Sequence, residues 1–159
     1  MKIIRTPEEF KAVRKTLHGK TVGFVPTMGG LHNGHLSLIK RAISENEVSV
    51  VSVYLNPTQF NDKKDLETYP ANFDDDVALL EKAGVDYLFA PTYPVMYPDD
   101  YAYMLTEKVF SKELCGAKRP GHFDGVLTVV MKLFNIVRPT RAYFGEKDYQ
   151  QYKLLDGMV

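Results

Sequence analysis

The chain has 159 residues, of which 45% are hydrophobic, and its 20 Lys and Arg residues balance its 20 Asp and Glu residues. This length and apolar content suit one domain with one buried core, and the balanced charge argues against nucleic acid as a partner. A single cysteine excludes an internal disulfide and a CxxC motif, and the lack of a long apolar stretch predicts a cytoplasmic, soluble protein with no membrane partner.

The first predicted element is a strand that leads through a glycine-rich turn into a helix. Val22-Gly23-Phe24-Val25 is an apolar run, and the stretch 36–43 after the turn is amphipathic. In a parallel sheet such a turn lies at the carboxyl edge of the strands, where free backbone N–H groups and the positive end of the helix dipole favour anions. The segment therefore predicts a phosphate site.

Three glycines and two histidines occupy this turn. Gly29, Gly30 and Gly34 can adopt positive φ, and the spacing of His32 and His35 lets both point to one side of the first helical turn. Imidazoles placed there can donate hydrogen bonds to a phosphoryl group that gains negative charge. The spacing alone equally allows a tight connection in which the histidines cap the helix or pack as neutral core groups.

Alternating strand and helix patterns continue along the chain. The predicted elements are a strand over 48–54, a helix from Phe73 that ends at Gly84, a strand over 87–90, a helix over 126–137 that ends before Pro139, and a strand over 141–144. The preference of carboxylates for a helix N-terminus explains the acidic run Asp74-Asp75-Asp76. The alternation favours an α/β fold with a Rossmann-like, open, mostly parallel sheet and helices on both faces.

The segment 91–119 is the least regular part of the chain and contains three prolines and four tyrosines within its first thirteen residues. We expect a long excursion that is either a lid or a surface loop, with a short antiparallel strand pair around 102–106 and 109–110. Cys115, in the same segment, is expected to be a packing residue.

Four motifs carry a resemblance to a known family. His32-Asn33-Gly34-His35 resembles the HxGH signature of the nucleotidyltransferase superfamily, which includes the class I aminoacyl-tRNA synthetases. The segments 24–32, 55–60, 119–123 and 145–151 resemble, in the same order, the motifs of the pantothenate synthetase family. The resemblance covers nearly the whole chain, and four motifs in register are specific.

The resemblance implies an ATP-dependent condensation of pantoate with β-alanine to pantothenate through a pantoyl-adenylate intermediate, with release of AMP and pyrophosphate. ATP, pantoate and β-alanine are then the partners, Mg²⁺ is carried by ATP, and the protein is a homodimer. Two alternatives remain at this point. In the first alternative the chain is an inactive binding or dimerisation module, and in the second it is a nucleotidyltransferase that acts on another small acceptor.

The resemblance also implies roles for individual residues. The implied catalytic residues are His35, His32 and Lys147. The implied ATP-binding residues are Met28, Gly29, Gly30, Leu31, His32, Asn33, Gly34, His35, Gly145, Glu146, Lys147 and Asp148. The implied pantoate- and β-alanine-binding residues are Gln59, Gln151, Asn56 and Met28.

These residue types suit the chemistry. A carboxylate with a pKa near 4 is already ionised at neutral pH, so its attack on ATP needs positive charge and hydrogen-bond donors rather than a general base. A zinc pair of the HExxH type has ligands at i and i+4 with a Glu between them, unlike His32 and His35, so we assign no protein ligand to a metal.

Members of the family continue into a smaller second domain with a KMSK-like loop that closes on the phosphates. The chain has no such segment, and its last residues, 152–159, lack the basic character expected there. We therefore expect residues 1–159 to form a single Rossmann-like nucleotide- and pantoate-binding domain, the N-terminal part of such an enzyme. Ligand binding and turnover are expected to be weak.

Overall fold

The computed structural model describes all residues from Met1 to Val159. The strands are β1 (Lys2–Ile4), β2 (Val22–Thr27), β3 (Val48–Val53), β4 (Tyr87–Phe89) and β5 (Arg141–Ala142). The helices are α1 (Pro7–Thr16), α2 (Asn33–Glu45), α3 (Lys63–Glu67), α4 (Phe73–Ala83), α5 (Tyr93–Met96), α6 (Leu114–Lys118), α7 (His122–Val137) and α8 (Tyr149–Met158), and short 3-10 helices span Pro57–Gln59, Phe110–Lys112 and Glu146–Asp148. None of the helices combines the length and apolar character needed to cross a membrane.

The five strands form one sheet in the order β1-β4-β3-β2-β5, and every neighbouring pair is parallel. β2 and β3 pair along their full length, whereas β5 adds only two residues at one edge. The predicted strands over 22–25, 48–54 and 87–90 are confirmed, and the predicted strand over 141–144 is shorter than expected. The parallel α/β fold is therefore confirmed.

Helices cover both faces of the sheet, because consecutive side chains of a strand point to opposite faces. The core beneath α1, α7 and α8 includes Phe10, Phe24, Val50, Leu127 and Leu154. The core beneath α2 and α4 includes Val25, Ile39, Val51, Leu80 and Leu88. Each such side chain contributes about 1.5–3 kcal/mol when fully buried, so the two cores hold the strand ends in fixed positions.

β1 and α1 are not among the predicted elements, although α1 carries a clear sequence signal. Thr6 accepts a hydrogen bond from the N–H of Glu9, the Glu9 carboxylate accepts one from the N–H of Thr6, and Pro7 opens the helix. A Thr-x-x-Glu capping box with proline at the first helical position is a recognised helix start. β1 is only three residues long and is an edge strand, so it has no comparable pattern.

The antiparallel strand pair predicted within 91–119 is wrong. The N–H of Leu105 donates to Thr128 Oγ1 on α7 instead of to a strand, and residues 110–112 form a 3-10 helix. The aromatic rings of Tyr93, Tyr97 and Tyr101 pack on one another with centroids 5.2 and 5.3 Å apart. Side-chain packing, which a strand pattern does not describe, therefore orders this segment.

Cys115 also differs from the prediction, because it is exposed rather than packed. Its backbone N–H, not its thiol, makes the contact that matters, since it donates to Gln150 Oε1 on α8.

Candidate active site

The loops that follow β2, β3 and β5 meet at the carboxyl edge of the sheet and enclose a cleft of about 280 Å³. β3 and β4 extend the sheet on one side of β2, and β5 lies on the other, so the order of the strands changes direction here. Ligands gather at such switch points in open α/β sheets. Two larger grooves, of about 430 and 570 Å³, lie elsewhere and contain none of the predicted site residues.

The cleft brings together residues that are far apart in sequence. The predicted site residues that line it are Met28, His32, His35, Asn56, Gln59, Lys147, Asp148 and Gln151. Other predicted residues lie in the same loops or at the start of the helices that follow them but do not line the cleft, namely Gly29, Gly30, Leu31, Asn33, Gly34, Gly145 and Glu146. No residue of the segment 91–119 lines it, so in this structure the excursion does not cover the cleft.

The cleft also has an apolar wall, which is not among the features predicted from the sequence. It is formed by α7 and by aromatic residues, namely Val126, Val129, Val130, Leu133, Tyr54, Tyr69 and Phe144. The helical period of α7 was read from the sequence, but which of its apolar residues face a ligand depends on how the helix packs across β2. The wall adds apolar surface to a cleft whose loops are polar.

Both histidines of the HxGH motif cap α2 and line the cleft at the same time. His32 Nδ1 accepts a hydrogen bond from the N–H of Gly34 at 3.0 Å, and His35 Nδ1 accepts one from the N–H of His32 at 3.4 Å. An Nδ1 atom that accepts from an amide carries no proton, so the neutral ring carries its proton on Nε2. The capping bonds therefore leave the Nε2–H group of each ring as a donor.

Burial lowers the pKa of His35, and the neighbouring His32 lowers it further, against the opposing effect of Asp76. The two rings lie close together, with centroids 4.2 Å apart. Two positive charges at this distance would repel, and a half-buried imidazolium would lose hydration. His35 is therefore a neutral hydrogen-bond donor at neutral pH.

A buried carboxylate holds the glycine-rich turn. Asp76, in the first turn of α4, is 3% exposed and accepts hydrogen bonds from the N–H groups of Gly30 and Leu31 at 2.9 and 2.7 Å. Those two amides are therefore occupied and cannot donate to a phosphate in this structure. The preference of carboxylates for a helix N-terminus therefore does not fully explain the acidic run 74–76, because Asp76 also ties α4 to the glycine-rich turn.

A second network holds the amide residues that follow β3. Asn56 Nδ2 donates to Gln59 Oε1 at 3.2 Å, and Gln59 Nε2 donates to the sulfur of Met28 at 3.1 Å. Tyr97 Oη donates to Asn56 Oδ1 at 3.2 Å. Both amides are buried, so this network fixes the orientation of Gln59 at the cleft wall.

His122, from the Arg119–Phe123 motif, supports this loop from behind. Its Nδ1 lies 2.8 Å from the backbone carbonyl oxygen of Gln59, and its Nε2 lies 3.3 Å from a guanidinium nitrogen of Arg119. A guanidinium can only donate, so Nε2 accepts and the proton is on Nδ1, which donates to the carbonyl. The motif thus positions Gln59, a role that the sequence analysis did not assign.

Acidification from pH 7.5 to 5.5 is expected to destabilise the fold in part through His122. Burial is the main cause that lowers the pKa of His122, and Arg119 lowers it further, against the Gln59 carbonyl and Asp148. The unfolded chain therefore takes up a proton at His122 at a higher pH than the folded chain does. The contribution of neutral His122 to the free energy of unfolding is therefore complete above pH 6.5. Below that pH the free energy of unfolding falls by at most about 1.4 kcal/mol per pH unit through this residue.

The variant His122→Asn tests this expectation. An Asn side chain can still donate to the Gln59 carbonyl but does not titrate, so the pH dependence of the free energy of unfolding should become flatter. Urea unfolding at several pH values measures it. An unchanged slope in the variant would show that His122 is not the group responsible.

Two adjacent glutamines of the last motif point to different places. Gln151 lines the cleft, whereas Gln150 is buried and ties α8 to the irregular segment. Gln150 Nε2 donates to the carbonyls of Phe110 and Glu113, each at 2.8 Å, and its Oε1 accepts from Cys115. The first glutamine is structural, and the second is available to a ligand.

Alanine substitutions are expected to separate these two roles. Gln150→Ala removes three hydrogen bonds and leaves two carbonyls and one N–H without this partner, so we expect a loss of about 2–3 kcal/mol in the free energy of unfolding. Gln151→Ala should change that free energy by less than about 0.5 kcal/mol and weaken ligand binding instead. Urea unfolding of both variants checks the difference, and equal losses would refute it.

Lys147 and Asp148 reach the cleft from the loop after β5. They lie in the short 3-10 helix before α8, and both are exposed. The ammonium group is therefore free to approach an anion, on the side of the cleft formed by a different loop from that of the histidines. The structure groups no three His, Cys, Asp or Glu side chains that could hold a metal ion.

Comparison with known proteins identifies the family. The profile described as Pantoate-beta-alanine ligase matches residues 2–159. The chain belongs to this family. A pantothenate synthetase from Bdellovibrio bacteriovorus is 60% identical over 99% of the chain, and one from Thermosipho melanesiensis is 54% identical over 100% of it.

Solved structures of the family agree with the fold. A pantoate-beta-alanine ligase from Francisella tularensis, complexed with Beta-gamma ATP and beta-alanine, superposes with a TM-score of 0.97 at 46% identity and covers the whole chain. The pantothenate synthetase from Thermus thermophilus gives a TM-score of 0.93 at 49% identity. The chain spans 62% and 58% of the lengths of the two curated relatives, and 62% and 57% of the two solved chains.

Proposed function

We propose that the cleft binds Mg·ATP and pantoate and joins them as pantoyl adenylate, the first half of an ATP-dependent condensation of pantoate with β-alanine. One observation carries the proposal: His32, His35 and Lys147 line the same cleft as the carboxamides of Gln59 and Gln151. The first three groups suit phosphate, and carboxamides suit a molecule that has two hydroxyls and a carboxylate.

In the first step, a carboxylate oxygen of pantoate attacks the α-phosphorus, the bond to the bridging oxygen breaks, and pyrophosphate leaves. The Nε2–H groups of His32 and His35 and the ammonium of Lys147 donate to the phosphoryl oxygens as negative charge builds on them. Gln59 and Gln151 hold pantoate by hydrogen bonds without a fixed positive charge beside the attacking carboxylate, which would stabilise its ground state. Mg²⁺ enters with ATP as part of the substrate.

In the second step, the amine of β-alanine attacks the acyl carbonyl of the adenylate, loses a proton, and displaces AMP. The resemblance further supports contacts of Gly145 and Asp148 with the ribose of ATP, and of Met28 with both substrates. The same proposal describes residues 1–159 as one nucleotide- and pantoate-binding unit, because both cores share a single sheet. It also includes a homodimer located in the cytoplasm.

Isothermal titration calorimetry with Mg·ATP and then with pantoate tests the proposal. We expect one saturable site for each ligand, and weaker pantoate binding in Gln59→Ala with ATP binding retained. The structural variant Gln150→Ala, assayed at a temperature below its unfolding midpoint, is the control. It shows how much ligand binding weakens when the loops are destabilised without a change to a residue that lines the cleft. No saturable binding of either ligand to a folded chain would contradict the proposal.

A further inference from the structure

Tyr54 lines the cleft directly after β3 but has no part in the mechanism described above. The side chain is 5% exposed, and its hydroxyl is buried without a hydrogen-bond partner in the chain. A buried polar group that lacks a partner destabilises the free protein, so such groups are rare and require an explanation. Because less than 1 Å² of the hydroxyl oxygen is exposed, a small shift of the ring or of its neighbours must accompany the binding of a ligand that supplies the missing partner.

The polar side chains beside Tyr54 already have partners. The Tyr97 hydroxyl donates to Asn56 Oδ1, and Asn56 Nδ2 donates to Gln59 Oε1 and to the carbonyl of Gly125. Burial raises the pKa of Tyr54, and the nearby Tyr97 and Tyr93 raise it further, so the phenol keeps its proton and remains a donor.

The position of Tyr54 in the fold indicates which part of a ligand it meets. Its side chain belongs to the core on the α7 face of the sheet, whereas α2, which carries His35, packs on the other face. A carboxylate that attacks the α-phosphorus must reach the phosphoryl group, whose oxygens accept from His35 and Lys147 in the proposed mechanism. With the carboxylate there, the rest of the acid, which carries the 2- and 4-hydroxyls, would extend towards the apolar wall that contains Tyr54.

We propose that the Tyr54 hydroxyl donates a hydrogen bond to a hydroxyl group of pantoate and thereby helps to select a hydroxylated acid over its deoxy analogues. The inference rests on the proposed function, because it presupposes that pantoate occupies the cleft. A site built to hydrogen-bond a substrate hydroxyl rejects an analogue that lacks it, since the buried polar group is then left unpaired.

The test compares Tyr54→Phe with a matched control. Ser52 Oγ is the other buried side-chain atom without a partner, and Ser52 does not line the cleft, so Ser52→Ala removes a similar oxygen away from the ligand. Calorimetry measures the affinity for pantoate, for the acid without the 4-hydroxyl (2-hydroxy-3,3-dimethylbutanoate) and for the acid without the 2-hydroxyl (4-hydroxy-3,3-dimethylbutanoate). Thermal unfolding without ligand shows that each variant folds.

We expect Tyr54→Phe to weaken pantoate binding about three- to tenfold, the range expected for one neutral hydrogen bond, and to leave ATP binding and the unfolding midpoint unreduced. For the analogue that lacks the contacted hydroxyl, the variant and the unmodified chain should bind equally. Ser52→Ala should bind all three acids as the unmodified chain does. Unchanged pantoate affinity in Tyr54→Phe, or an equal loss for all three acids, would overturn the inference alone, whereas a chain that binds no pantoate would overturn the proposed function with it.

Discussion

His35→Asn is expected to lower pantoate-dependent exchange of pyrophosphate into ATP by about 10²–10³-fold while leaving the chain nearly as stable as before. The expectation follows from the two nitrogens of the ring. Nδ1 caps α2 by accepting from the N–H of His32, and the amide oxygen of Asn can accept the same bond. Asn cannot reach the position of Nε2, which is the donor proposed for the phosphoryl group.

His35→Gln is the matched variant. A Gln side chain is long enough to place an N–H near the position of Nε2, so it should retain more activity than Asn while capping α2 less well. Pyrophosphate exchange and thermal unfolding of both variants give the two readouts. Full activity in His35→Asn would mean that the histidine only caps the helix.

Asp76→Ala is expected to destabilise the chain by about 3 kcal/mol, because Asp76 is buried and its carboxylate accepts two amide hydrogen bonds. Hydrogen bonds to a charged group contribute about 1.5–3 kcal/mol each, and the loss also leaves the N–H groups of Gly30 and Leu31 unpaired. The turn carries Met28 and His32 to the cleft, so exchange activity should fall as well.

Asp75→Ala provides the control for Asp76→Ala, because Asp75 is exposed in the same first turn of α4. It should lose only the helix-dipole contribution, about 0.3–1 kcal/mol. Urea unfolding of the two variants measures the difference. Equal losses would show that Asp76 acts only through the helix terminus.

The fold was predictable where the pattern is local. The alternation of apolar runs with helical periods gave β2 to β4 and the long helix α7, and the motifs marked the loops that form the cleft. Parallel strands place their carboxyl ends at one edge, so loops more than a hundred residues apart were expected to meet. The predicted length of β5 is too great, because an apolar pattern does not show where pairing with the neighbouring strand ends.

The supports of the site were not predictable, because they depend on contacts between distant residues. Asp76 contacts a turn 45 residues away, His122 contacts a carbonyl 63 residues away, and Gln150 contacts a segment 35 to 40 residues away. Each residue has an ordinary local explanation in the sequence. Only the packing of α4, α7 and α8 shows which distant segment each of these residues holds in place.

The two histidines show why a structural and a functional interpretation need not exclude each other. Sequence spacing allowed His32 and His35 either to cap α2 or to face a phosphate. In the structure both rings cap through Nδ1 and both line the cleft. An imidazole has two distinct nitrogens, so one can serve the helix and the other a ligand.

Pyrophosphate exchange into ATP, measured with and without pantoate, tests the central claim most directly, because it reports formation of an acyl adenylate in this cleft. We predict exchange that requires pantoate and that is strongly reduced in both His35→Asn and Gln59→Ala, with each variant folded. Exchange that proceeds without pantoate, or that is undiminished in both variants, would contradict the account.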